Sequence, residues 1–247
     1  MTDRPIIFSA PMIRALLDGR KTQTRRILKD VPDMPPARSH QANMVKHAAP
    51  YLDAYCSERK TAANPRGMST DWCWWQIDDR QCLPTFRVPY APGDRLWVRE
   101  GCVTIGMGHG FDVTHWPHGT CAYLADGKGE WYDRAKAAGA KSRPSIHMPR
   151  WASRLTLIVE GVKVERLQEI SEADAIAEGI KRNHHGNGDQ WCDYPLGSSA
   201  AGWTDPRDSF ESLWRSLHGP DAWAANPWVC AISFRTINAN IDTAGAS

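Results

Sequence analysis

Seven prolines between residues 30 and 90, at positions 32, 35, 36, 50, 65, 84 and 89, do most to limit how this 247-residue chain can fold. Each removes a backbone donor and restricts the residue before it, so no long helix fits there. Regular structure has to come from the flanks. The expectation for residues 30–90 is an irregular insertion with a short helix near 50–60. Inside it, Trp72-Cys73-Trp74-Trp75 is too apolar for a disordered loop and predicts packing against the body or a pocket.

The flanks read clearly. Ser9 can cap a short helix with Pro11 in its first turn, where Met12, Ile13, Leu16 and Leu17 form one apolar stripe and Gly19 ends the run. From Thr22 the chain reads as extended. Pro92-Gly93-Asp94 is a turn signal before a strand at Arg95–Glu100, with Leu96 and Val98 on one face. Residues 103–150 read as loop-rich, with a short strand at Tyr123-Leu124-Ala125. Leu155, Leu157 and Val159 alternate in a strand over 154–166, with Gly161 marking a bulge or bend. Ser171-Glu172-Ala173-Asp174 has the form of a capping box that opens a short helix closed by Gly179. Residues 181–204 read as a glycine-rich loop. Asp205-Pro206 starts a helix with Phe210, Leu213, Trp214 and Leu217 at helical spacing, until Gly219-Pro220. Residues 228–237 read as a final strand. The resulting expectation is an α+β chain: a small β-barrel with short flanking helices, one domain over 1–238 and a flexible tail over 239–247.

Composition narrows function. A formal net charge of +2 is too small for non-specific coating of nucleic acid, so anion binding has to come from local clusters. The seven cysteines are odd in number and form no CxxC pair; with no secretory leader and no long apolar run, they predict free thiols in a soluble, cytoplasmic protein without membrane contact. The twelve tryptophans serve packing or the stacking of bases.

Lys21 and Thr24 stand three residues apart just after Gly19, and a lysine beside a hydroxyl is one way to activate a weak oxygen nucleophile. On a regular strand residues 21 and 24 would point to opposite faces. Cooperation therefore requires Lys21 to lie in the turn, or a bulge to intervene. Glu178 falls in the last turn of its short helix, where unpaired carbonyls raise a carboxylate's proton affinity and a nearby lysine would oppose the rise. Such a group can hand a proton to a leaving amine. The segment Arg143–Arg154 offers arginines for anions and Trp151 for stacking, and Glu100, at the end of its strand, is expected to point into a barrel mouth or into solvent. His109, His115, His118 and Cys121, with His184-His185 further on, match no standard metal spacing, so no metal is expected. Gly106-Met107-Gly108-His109-Gly110 lacks the lysine of a phosphate loop and reads as a plain glycine-rich loop.

The segment Gly19-Arg20-Lys21-Thr22-Gln23-Thr24, the Pro92–Val98 turn and strand, and the helix ending Ala177-Glu178-Gly179 together resemble the ASCH family, in particular its large phage- and prophage-type members. The resemblance covers residues 5–29, 88–102, 153–180 and the final strand, leaving about 30–90, 103–150 and 181–204 as insertions. It implies a PUA-like β-barrel and a link to RNA. In the small bacterial members, which are N(4)-acetylcytidine amidohydrolases, a Lys, a Thr and a Glu act; their pattern falls on Lys21 and Thr24, with Glu178 in the glutamate's place. The implied function is metal- and cofactor-independent removal of an acyl group from the exocyclic amine of a cytosine nucleoside or related base. Lys21 would be the base, Thr24 the nucleophile or the positioner of water, and Glu178 the acid. Arg20, Arg26, Glu100 and Arg150 would orient a nucleoside, nucleotide or RNA substrate, and Trp97 or Trp151 would stack on its base. The alternatives are a non-catalytic module binding RNA or a modified base, and a ribonuclease. A phage assembly role has no residue-level support, and the oligomeric state is left open.

Overall fold

A computed structural model describes residues 2–34, 51–54, 71–75, 85–104, 121–127, 130–137, 139–183, 190–195 and 202–244. The histidines at 109, 115, 118, 184 and 185 and the glycine-rich loop at 106–110 lie outside the described residues. Two compact units are built from interleaved segments: one of Gln23–Asp94 and Val159–Ser233, the other of Thr2–Thr22, Arg95–Ile158 and Phe234–Ser247. The sequence reading has a single domain here.

In the second unit, β1 (Asp3–Ile7) is followed by α1 (Ala10–Leu17). Ser9 occupies the cap position, without a side-chain cap bond, and Met12, Ile13, Ala15 and Leu16 are the buried face. Leu17, placed on that stripe by its spacing, is exposed. Each fully buried side chain of the Leu or Ile type contributes about 1.5–3 kcal/mol, so the stripe holds the helix more firmly than propensity does.

The first unit takes up the chain at β2 (Gln23–Ile27) and, in the proline-rich region, forms β3 (Tyr51–Ala54), β4 (Asp71–Trp75) and β5 (Phe86–Arg87) as an antiparallel sheet in the order β3-β4-β5. Residues 51–54 are therefore a strand rather than part of a helix; they pair with Trp72–Trp75, a partner that local periodicity cannot reveal. The tryptophan cluster does pack inward. Trp72, Cys73 and Trp74 are buried, Trp74 Nε1 donates to Pro32 O, and its ring meets Trp228 edge-on at 5.6 Å.

Returning to the second unit, β6 (Arg95–Arg99) pairs parallel with β1 and antiparallel with the start of β10 (Thr156–Arg166). Leu96 and Val98 are buried as their alternation requires. The region expected to be loop holds β7 (Cys102–Thr104), β8 (Cys121–Tyr123), α2 (Glu130–Ala137) and β9 (Lys141–Arg143), the strands ordered β8-β7-β9.

In the first unit, β10 runs unbroken through Gly161, after which consecutive Val164 and Glu165 are both buried. α3 (Glu172–Ala177) follows, with the Ser171 side chain accepting from the Asp174 N–H. The short hairpin of β11 (Arg182–Asn183) and β12 (Gln190–Trp191) occupies part of the expected glycine-rich loop. α4 (Pro206–His218) buries Phe210, Leu213 and Trp214 but leaves Leu217 exposed. β13 (Trp228–Ile237) pairs antiparallel with β2, register Arg25↔Ala231.

In the second unit the strand order is β1-β6-β10, and in the first it is β10-β13-β2. Among the described residues the sheets are open and no barrel closes; the fold is α+β. The expected flexible tail is partly anchored. Ile241 is fully buried, and the Asn240 amide donates to the carbonyls of Arg150, Trp151 and Ser153. Cys73, Cys102, Cys121 and Cys230 are buried, and burial pushes the Cys230 thiol up to about 12. No helix among the described residues is long and apolar enough to cross a membrane.

Candidate functional site

β2 is five residues long, and its alternation puts Gln23, Arg25 and Ile27 on one face and Thr24 and Arg26 on the other. Pairing with β13 fixes this register: Thr24 lies opposite Ile232 and Arg26 opposite Cys230. Thr24 is 4 % exposed. Arg26 is half-buried, and that burial draws its guanidinium below its ordinary value, with the charges of Tyr90 and Glu178 opposing the shift.

Glu178 is the C-cap of α3 rather than a member of its last turn, and Gly179, at φ 88°, takes the left-handed conformation that ends the helix. Its side chain is buried, and Arg25 Nη1 donates to Glu178 Oε1 at 3.1 Å. Arg25, with no exposed side-chain surface, is a hub. Nη1 also donates to Gln23 Oε1 at 2.6 Å; Nη2 donates to Glu165 Oε1 at 2.6 Å and Asp174 Oδ2 at 3.2 Å. Gln23 in turn donates to Asp174 Oδ1, and Lys163 makes an ion pair with Glu165. The Phe210 ring lies 5.8 Å from the guanidinium carbon. Burial pushes the Asp174 carboxyl up. The Gln23 hydrogen bond, the Arg25 charge, the Ser171 hydrogen bond and the Lys163 charge outweigh it, so the net position is below the ordinary value. Arg25 Nε is buried without a hydrogen-bond partner, a cost of about 1–3 kcal/mol. Burying two carboxylates, with a third half-buried, around one guanidinium is not the cheapest way to fill a core.

Since β2 is an edge strand, Glu178 can bond the guanidinium of one face while its charge is felt by Arg26 on the other. That brings three of the sequence-derived candidates, Thr24, Arg26 and Glu178, into the first unit.

The remaining candidates belong to the second unit. Lys21 lies in the turn, not on the strand: its backbone N–H and that of Arg20 both donate to Ala15 O, at 3.0 and 2.9 Å, and Gly19 at φ 70° makes the turn possible. This satisfies the geometric condition set by the spacing. The Lys21 side chain is buried, with Nζ 5.5 Å from the Phe8 ring centroid. Arg20 forks onto Asp18, Nη2 donating at 2.9 Å. Trp97 is half-buried on β6 with the Arg99 guanidinium 5.3 Å over its ring, and Arg99 also donates to Ile146 O.

Glu100 is 1 % exposed and held bidentately by Arg154, Nε to Oε1 at 2.9 Å and Nη2 to Oε2 at 3.1 Å. It points neither into a barrel mouth nor into solvent. Burial raises its proton affinity, which Arg154 only partly offsets. Burial works against the charge of Arg154, yet its pairing with Glu100 and Asp126 lifts it above its ordinary value. Arg150 is engaged by Asp242 at 2.6 Å and Asp3 at 2.7 Å. Trp151 is 57 % exposed.

Among the described residues no cluster of His, Cys, Asp and Glu could hold a metal ion. Sequence reasoning missed Gln23, Arg25, Glu165 and Asp174. One signal for them was available: Asp174 and Glu178 are four apart on a predicted helix, and like charges at that spacing call for a cation. Comparison with protein-family models, curated proteins and solved structures finds no match for the chain.

Proposed function

We propose that the protein is an ASCH-type, PUA-like amidohydrolase that removes an acyl group from the exocyclic amine of a cytosine nucleoside or related base. The observation that carries the reading is the burial of all three polar residues of the motif: Lys21, Thr24 and Glu178 are 2, 4 and 3 % exposed. Residues of these types rarely go inside without a partner or a task. The departure of Lys21 from strand geometry adds support, because a lysine in register with β2 could not serve a hydroxyl on Thr24's face.

In the proposed reaction Lys21 takes the proton of the Thr24 hydroxyl and the oxygen attacks the acyl carbon. The carbon–nitrogen bond then breaks, with Glu178 supplying the proton that the departing amine needs. Water releases the acyl group from Thr24 and restores the enzyme. The reading requires the Lys21 amine to reach Thr24, three residues on in the chain. Arg26, on Thr24's face, would help to orient the substrate. The test is incubation with N(4)-acetylcytidine, following release of cytidine. Turnover by the natural chain and its loss in Lys21→Ala and Thr24→Ala are expected. No turnover, or full activity in Lys21→Ala, sinks the proposal.

The exposed Trp151 favours a second reading, a non-catalytic module that stacks a base of RNA. It predicts RNA binding that weakens with salt, survives Thr24→Ala and falls in Trp151→Ala.

A further inference from the structure

We propose that Arg25 is a positioning residue for Glu178, fixing the carboxyl group that the proposed reaction uses as its acid. The inference rests on the amidohydrolase reading and goes beyond it, since Arg25 lies on the face of β2 opposite Thr24 and is no part of the motif's chemistry.

Three features carry it. First, the guanidinium is mounted rigidly: its strand is paired in register with β13, and its side chain has no exposed surface. Second, Nη1 grips one named oxygen of Glu178, Oε1, while Gln23, Glu165 and Asp174 hold the rest of the fork from the same strand, from β10 and from α3. A guanidinium held by several partners cannot follow Glu178 if that side chain turns, so Glu178 has to stay with it. Third, Glu178 sits at a helix end, where its backbone is fixed as the C-cap but its side chain has rotamers to choose from. The hydrogen bond from Arg25 selects among them. A structural role alone does not account for the arrangement, because one buried cation with three carboxylates and an unbonded Nε is poor packing.

The charges facing Glu178 come from Arg25 and Arg26 on β2 and from Asp174 on its own helix, with Glu165 and Lys163 of β10 joined through Arg25 and Glu165. Tyr90 shares the neighbourhood of Arg26. Arg25→Met removes both the charge and the fork, whereas Arg25→Lys keeps the charge and loses the fork.

The experiment uses the full chain, Arg25→Lys and Arg25→Met, with the glutamate carboxyl carbons labelled and the Glu178 resonance assigned through Glu178→Gln. Circular dichroism confirms that each variant is folded; if Arg25→Met is not, Arg25→Lys carries the test. In both variants the Glu178 resonance should be displaced, and should broaden or split as the side chain samples further rotamers. With N(4)-acetylcytidine, kcat in Arg25→Lys should fall about 100-fold with KM little changed. An unmoved, sharp Glu178 resonance in both variants overturns the inference. So does undiminished kcat in a folded Arg25→Lys. Absent turnover in the natural chain combined with a displaced Glu178 resonance sinks the amidohydrolase reading instead, and upholds the hold of Arg25 on Glu178.

Discussion

Arg25 and Arg150 each bridge acidic side chains, but at different depths. Arg25 meets Glu165, Asp174 and Glu178 with its side chain wholly buried, whereas Arg150 meets Asp3 and Asp242 with 38 % of its side chain in solvent. At Arg150 water can replace a lost partner; at Arg25 it cannot. The same ion-pair chemistry therefore fixes geometry in one place and merely tethers a segment in the other. Arg154 lies between these extremes, its side chain 13 % exposed against the buried Glu100.

The contrast can be broken most directly with Arg25→Ala. It leaves three carboxylates crowded without their cation and should cost about 3–5 kcal/mol in urea unfolding. A loss below about 1 kcal/mol would erase the difference between the networks. Arg154→Ala should fall in the middle, about 1.5–3 kcal/mol, because Glu100 then loses both charged hydrogen bonds. Arg150→Ala should barely move the unfolding midpoint, and what small change occurs should shrink as salt is added. A large, salt-insensitive effect there would put Arg150 in the same class as Arg25.

Acid titration sharpens the comparison further. Asp174 and Asp3 both sit below their ordinary value of 3.8. In Asp174 the Gln23 bond and the Arg25 charge outweigh burial; in Asp3 the Arg95 hydrogen bond leads. Folded values below unfolded ones mean stability that is fully present above pH 3.8 and lost as the pH falls through the folded values. Glu100 has the opposite sign. Raised by burial above 4.5, it contributes stability that is present below pH 4.5 and disappears as the pH rises through its folded value. Asp174→Asn should accordingly flatten the acid slope of stability against pH, while Glu100→Gln should flatten a decline on the other side of pH 4.5.

Much of the fold was legible because it depends on local signals. The capping box at Ser171, the helical spacing in α4 and the run Trp228–Ile237 each announce an element from within a few residues. The strand at Tyr51–Ala54 was not legible, since its identity depends on pairing with Trp72–Trp75 across an intervening stretch. Leu217 shows the limit of periodicity from the other side: it keeps helical spacing, yet it is exposed. The candidate site divides in the same way. Lys21, Thr24 and Glu178 stand out by residue type and motif, and spacing alone set the condition that Lys21 must leave the strand. Arg25 did not stand out, although it is next to Thr24 in sequence. Alternation states which face a side chain takes but not who waits there, and the carboxylates that define its role arrive from β10 and α3, about 140 to 150 residues further along. Arg25 bonds Glu178, and an arginine can hold several carboxylates at once.

The segment after β13 has a practical consequence. Asn240 caps three carbonyls of the turn at 150–153, Thr156 donates to Ala239 O, Arg95 donates to Ile241 O and Arg150 grips Asp242. A chain cut back to Ile237 would release all of these attachments together and uncover the socket of Ile241, so it should aggregate or be degraded rather than merely lose a dispensable end. A label or affinity handle inserted between Ile237 and Asp242 would undo the same fastenings, so one meant to tether the protein to a surface belongs elsewhere in the chain.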